Sequence, residues 1–445
     1  MLYDLLLVDG TVYDGYTQEI CDIGITDGKI AEIGTLDRAR AAEVVSLKNL
    51  SVLPGVIDTQ VHFREPGLEQ KEDIQTGTQS AAAGGVTTVF EMPNTNPPTI
   101  SFEALQDKLR RAKDRSWCNI AFFCGASPEN ISQLGALENA RGAPGIKIFM
   151  GSSTGSLLVP DDETLRKVLL ACRNRSPVHA EDNRRLEERK ALISANPSPL
   201  EHPFLRDAET ARLATERLIR LAEESNHPVH ILHVSTADEL PLIAAAKQRT
   251  GLVTAEVTPQ HLYFQAPDCY EKLGTLAQMN PPIRDAGHRA ALRHALKNGL
   301  FDVIGSDHAP HTLEEKSRPY PQSPSGMPGV QTLLPVMLTL SLREGLLSMN
   351  DLVRMTSARP ASLYNIRGKG FIKPGYDADL AIVDLDKNWV VGRNWIKSKC
   401  GWSPYEGEQL QGFPIHTLVN GQFSLRDGLL SDKAYGKIVR FEGEQ

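Results

Sequence analysis

From residue 52 onward the chain alternates short apolar runs with longer charged segments, and no other feature restricts its possible folds so much. The runs are LPGVIDTQVHF, GVTTVFEMPN, NIAFFCGAS, GIKIFMG, SPVHAED, HPVHILHVS, GLVTAEVTPQHL and LFDVIGSDHAP, eight in all. Between them lie segments such as 102–113, 162–173, 208–224 and 239–248, where apolar residues recur at helical spacing with charges on the opposite side. A strand followed by an amphipathic helix buries both apolar faces when the next strand pairs parallel to the first. Eight such units predict an α/β fold, a (β/α)8 TIM-like barrel.

The two ends have another texture. DLLLVDGTVYDG and CDIGITDGKIAEIG read as strands punctuated by Asp-Gly hairpin turns, and FIKPGYDADLAIVDLDKNWVV and GFPIHTLVNGQFSLRDG repeat that pattern near the C-terminus. The expected organisation is therefore a small β-sandwich module built from both chain ends, residues 1–51 and 358–445, around a catalytic barrel at 52–357. The last ten residues read as a loose tail.

A net charge of −7 argues against nucleic acid and anionic lipid as partners. The densest basic cluster, RRAKDR at 110–115, reads as the solvated face of a helix. No apolar run approaches the ~20 residues of a membrane span, and the N-terminus lacks the basic leader of a signal peptide. The six cysteines are scattered without a C-x-x-C pair, as expected of reduced thiols in a cytoplasmic enzyme.

Barrel sites form at the C-terminal ends of the strands. His62 closes strand one, Lys147 lies in strand four, His179 in strand five, His233 in strand six and Asp307 in strand eight. Each alone has a structural explanation: a hydrogen-bonded core histidine, a snorkelling lysine, an aspartate capping a turn. Five such residues at the same ends of five strands point instead to a divalent-metal site. In DTQVHFREPG, Gln60 shares a strand face with His62, where a second imidazole would complete a His-x-His ligand pair.

DTQVHFREPG, KEDIQTGTQSAAAGGVTTVFEMPNTNPP, GIKIFMG, VHAED, ILHVST, EVTPQHL, MNPPIR and GSDHAPHTLEEK together resemble the class I dihydroorotases of the amidohydrolase superfamily, over nearly the whole chain. The resemblance implies one or two Zn2+ ions. His62 and Asp307 would hold one, His179 and His233 the other, and an N-carboxylated Lys147 would bridge them; Asp307 would also shuttle protons. It implies a small-molecule substrate, dihydroorotate, contacted by Arg64, Asn94, Asn280 and His311, with Arg64 forked onto its carboxylate. It further implies a homodimer and association with aspartate carbamoyltransferase. MGSSTGS, after Lys147, reads as a mobile loop over the barrel mouth. Two positions depart from the pattern: Gln60 replaces the first histidine of His-x-His, and Gln260 stands where the family often has PHH. The first metal position is therefore expected to be weak. Two rival readings are a related allantoinase or hydantoinase and a catalytically silent homologue that scaffolds a partner.

Overall fold

A computed structural model describes residues 3–152 and 157–443. Its central element is a succession of parallel strands in chain order: Val56–Val61 (β1), Val86–Glu91 (β2), Asn119–Phe122 (β3, resumed at Cys124–Gly125), Ile146–Phe149 (β4), Ser176–His179 (β5), Val229–Ile231 (β6), Val253–Val257 (β7) and Val303–Ile304 (β8). The ends of the succession meet just beyond the strands, where His62 N donates to His308 O at 2.7 Å. The strands are nearly all apolar because both faces are covered. Val89, Ile120, Ile148, Val178, Ile231, Val257 and Ile304, one from each of β2 to β8, belong to one core.

Helices fall where the periodicity places them, at Phe102–Ala112, Asp162–Ala171, Ala208–Ser225 and Leu240–Arg249. Three of these begin at a side chain that accepts a hydrogen bond from a backbone amide otherwise left unpaired. Ser101 accepts from Ala104, Asp161 from Thr164 and Asp207 from Thr210. Among the described residues no helix is long and apolar enough to cross a membrane, and the cysteines are unbridged.

Both chain ends contribute to one nine-stranded sheet. Its hydrogen-bonded order is Leu429–Leu430, Gln422–Arg426, Gln409–Val419, Leu380–Val390, Ser51–Pro54, Tyr3–Tyr13, Gln18–Thr26 and Lys29–Gly34, with Ala41–Ser46 also paired to Tyr3–Tyr13. The apolar run before His62 is thus divided: Ser51–Pro54 belongs to this sheet and Val56–Val61 to the barrel. A buried polar joint connects the two. Asp379 accepts from Lys369 Nζ at 2.7 Å, Asn119 Nδ2 at 2.9 Å and Asn420 N at 2.7 Å.

The structure corrects three expectations. Asp9-Gly10 is an irregularity within a long strand, not a turn; Asp9 takes φ 63°, and the pairing register shifts between Leu7 and Gly10. A left-handed residue serves a bulge as well as a hairpin. As far as Phe441 the C-terminal segment is not loose: Val439 N bonds Ile120 O at 3.0 Å, and Phe441 is buried against Phe90. Nor is RRAKDR only a solvated face, since Arg111 and Arg115 both reach the buried carboxylate of Glu65, Arg115 at 2.9 Å. In MGSSTGS, residues 153–156 lie outside the described residues.

Candidate active site

The strand ends bring Gln60, His62, Arg64, Asn94, Lys147, His179, His233, Asn280 and Asp307 to the wall of one cavity, with Phe149 and Ala309 as its apolar part. Three of these residues hold left-handed backbone: Arg64 at φ 65°, His233 at 36° and Asp307 at 43°. This conformation costs a non-glycine residue free energy and persists only where the surroundings enforce it, which happens most often at functional sites. The enforcement is visible. Asp58, buried in β1, accepts from Gln60 N at 3.2 Å and Ser306 N at 3.0 Å, tying β1 to the residue before Asp307. Gly305 lacks a Cβ where one would lie 2.3 Å from Glu256 Oε2, so the Glu256 carboxyl fits beneath the site.

Two donor pairs result, His179 with His233 and His62 with Asp307. His179 Nδ1 faces His233 Nε2 at 3.0 Å, while His179 Nε2 lies 2.9 Å from Glu181 Oε2. His62 Nδ1 lies 2.7 Å from Asn94 Oδ1, leaving Nε2 toward Asp307 Oδ1 at 3.4 Å. In both cases an acceptor takes the proton on one ring nitrogen and frees the other for the cavity. Burial lowers the pKa of His62, His179 and His233, which keeps them in the neutral form that binds metals. Gln60 turns its Nε2 to Asp307 Oδ1 at 2.9 Å, and its Oε1 has no partner among the described residues. Gln260 does not line the cavity; it donates to Ser306 O at 2.7 Å.

Among the described residues, no three histidine, cysteine or carboxylate groups stand together as a metal-holding set. The two pairs therefore fit a divalent ion only if another donor completes them, and Lys147 is a candidate on the wall. Its ammonium position lies 4.5 Å from the Phe149 ring centroid. Burial draws its pKa down to about 7, against the charges of Asp307 and Glu256. A lysine poised to be neutral can react with CO2, and the resulting carbamate offers two oxygens.

Arg64 is almost wholly buried. It donates from Nε to Pro310 O at 3.2 Å, while Nη1 has no partner among the described residues. Burial lowers its pKa to about 10, so it remains cationic. His311 lies behind Arg64 instead of lining the cavity: its Nε2 is 3.4 Å from Arg64 Nη2 and 3.1 Å from Ser325 O, and its Nδ1 is 3.2 Å from Lys71 Nζ. Asn280 does line the cavity, and its Oδ1 is buried without a partner among the described residues. The sequence reading missed Glu181, Arg206, Glu256 and Lys71. Glu181 was the most accessible of these, because a charged residue just after a histidine at a strand end is unusual in a buried position.

An amidohydrolase-family profile matches residues 51–423. A relative named dihydroorotase from Pyrococcus abyssi is 35% identical, covering 99% of this chain and 100% of its own length. Another of that name from Halobacterium salinarum is 36% identical and covers 99% of each chain. Among solved structures, the L-hydantoinase (dihydropyrimidinase) of Arthrobacter aurescens superimposes with a TM-score of 0.92 at 29% identity, covering 98% of this chain and 99% of that one.

Proposed function

The chain belongs to the amidohydrolase family and is a cyclic amide hydrolase, and from that premise we propose that it is a class I enzyme interconverting L-dihydroorotate and N-carbamoyl-L-aspartate in pyrimidine biosynthesis. The observation that carries the choice of substrate is Arg64, a buried guanidinium at the cavity wall with an unpartnered Nη1. Dihydroorotate has a carboxylate to meet it; a simple hydantoin or dihydrouracil ring does not.

His179, His233 and a carboxylated Lys147 would hold one divalent ion, and His62, Asp307 and the same Lys147 a second, more weakly because Gln60 supplies no imidazole. Zn2+ suits these nitrogen and oxygen donors, and it supplies Lewis acidity toward a carbonyl oxygen and toward water. The chain's own residues do the rest. Arg64 orients the ring through its carboxylate, with His311 and Lys71 behind it. Asn280 Oδ1 accepts a ring N–H. Asp307, held by Gln60, receives a proton from the attacking water and returns it to the ring nitrogen as the carbon–nitrogen bond breaks. Ring closure runs the same steps in reverse, with water leaving. Asn94 acts in this scheme through His62, whose Nδ1 it engages, as well as on the substrate.

The deciding experiment pairs a hydrolysis assay on dihydroorotate with elemental analysis of protein purified without chelator. Structural likeness to hydantoinases gives the second reading its support. Comparable turnover of a 5-substituted hydantoin would favour it, and no turnover of either substrate with added zinc would leave the scaffolding role. The same proposal includes a cytoplasmic location, a homodimer and association with aspartate carbamoyltransferase; sedimentation of the protein alone and mixed with that partner tests the last two.

Lys147 gives a separate check. Lys147→Ala should lose bound metal and activity together. In wild-type apoprotein, reconstitution with zinc and bicarbonate should rise with pH through about 7, because the reactive neutral amine forms as pH passes its lowered pKa. Full activity in Lys147→Ala would remove the carbamate.

A further inference from the structure

β5 ends on His179, and two residues later Glu181 turns back onto that ring. Glu181 is fully buried, with Oε2 2.9 Å from His179 Nε2. An ionised carboxylate can only accept, so the proton of the neutral imidazole sits on Nε2 and the lone pair on Nδ1. That bare nitrogen is the one that faces His233 Nε2 at 3.0 Å.

A carboxylate in this position needs a counter-charge, and Arg206 supplies it. Its Nε donates to Oε1 at 3.1 Å and its Nη2 to Oε2. The same Nη2 donates to Ser152 O at 2.9 Å, in the segment that leaves β4, the strand of Lys147. There the two backbones touch: a Cβ on Gly151 would stand 2.4 Å from Glu181 O, so glycine is what permits the approach. One ion pair, its carboxylate fully buried and its guanidinium partly so, thus joins the histidine of β5 to the exit of the lysine strand.

We propose that Glu181, clamped by Arg206, is a positioning residue that fixes the tautomer of His179, keeps Nδ1 bare for a cation, and ties this ring to the chain leaving the Lys147 strand. The proposal rests on the reading of His179 as a ligand given above. A carboxylate behind a ligating histidine usually contributes 10- to 100-fold to metal affinity. Glu181 touches neither substrate nor reacting atoms, so its effect should appear in the ring and in metal binding before it appears in chemistry.

The test uses chelator-treated full-length protein with 15N-labelled histidine. In wild type, long-range proton–nitrogen correlations should show His179 protonated on Nε2. Glu181→Ala should give a substantial Nδ1-protonated population, and titration with Zn2+ alone should show roughly 10- to 100-fold weaker binding. Arg206→Ala should fall between the two. Glu181→Leu fills the space without an acceptor and should weaken binding as the alanine variant does, so the test survives if the alanine variant fails to fold. An unchanged Nε2–H tautomer together with zinc affinity within twofold of wild type, in whichever Glu181 variant folds, would overturn the proposal. The tautomer is read without metal or substrate. A wild type that shows no dihydroorotate turnover would therefore count against the function proposed above while leaving the Glu181 result standing.

Discussion

At the scale of single residues, the site depends on what each buried polar atom lacks. Arg64 is anchored on one side by Pro310 O and backed by His311, yet its Nη1 has no partner among the described residues. An unpaired donor in a buried guanidinium is costly unless a ligand completes it. Arg64→Met should therefore lower kcat/KM on dihydroorotate by about 2–5 kcal/mol, the range for truncating one partner of a buried charge pair. Metal content should stay at the wild-type level, and wild-type kinetics would exclude Arg64 from substrate recognition. Gln60 presents the opposite case. Its amide nitrogen occupies Asp307 Oδ1, so it withdraws an oxygen as well as failing to add an imidazole. Gln60→His should raise the zinc stoichiometry after dialysis toward two per chain. Two ions already held by dialysed wild type would show that the first position is not weakened.

At the scale of elements, three of the helices that cover the barrel are capped at their first turns. Asp207 caps Ala208–Ser225 by accepting from Thr210 N at 3.0 Å, and it also pairs with Arg185 at 2.5 Å and Arg189 at 3.1 Å. Partial burial alone would raise its pKa; the hydrogen bonds from Arg185 and Thr210 and the charge of Arg189 hold it down at about 2. A carboxylate with a lowered pKa stabilises the fold above its unfolded pKa of ~3.9 and loses that effect as pH falls through the folded value. Asp207→Ala should cost about 1–2 kcal/mol in urea unfolding at pH 7. The difference between mutant and wild type should shrink as pH falls from about 4 toward 2. A difference independent of pH would assign the effect to the uncharged cap alone.

At the scale of the whole molecule, the terminal segment closes the structure. Residues 437–439 run beside β3 through Ile120, and Phe441 enters a cluster with Phe90, Phe123 and Tyr364. Sequence at the far end of the chain therefore adds to the core shared by β2 and β3. Phe441→Ala should cost about 3–5 kcal/mol, the usual range for a buried phenylalanine, and lower Tm while leaving KM for dihydroorotate unchanged. A Tm within a degree of wild type would mean that the segment packs without contributing stability.

Much of the design was legible in the order of residues alone. The alternation of apolar runs and amphipathic segments determined a barrel-like succession of strands and helices, because period and length are local properties that burial then enforces. The ends of those strands in turn nominated His62, Lys147, His179, His233 and Asp307, which line one cavity. Tertiary structure decided what depends on distance between segments remote in sequence. It made Gln60 a donor to Asp307 across 247 positions, placed His311 behind Arg64, and brought Arg206 onto Glu181. It also packed the C-terminal segment against β3 through Val439 and Phe441, apolar residues in a run too short to announce an element by itself. Local sequence specifies which face a side chain occupies, but its partner is specified only when the chain closes on itself, since a hydrogen bond depends on a few tenths of an ångström that no periodicity encodes.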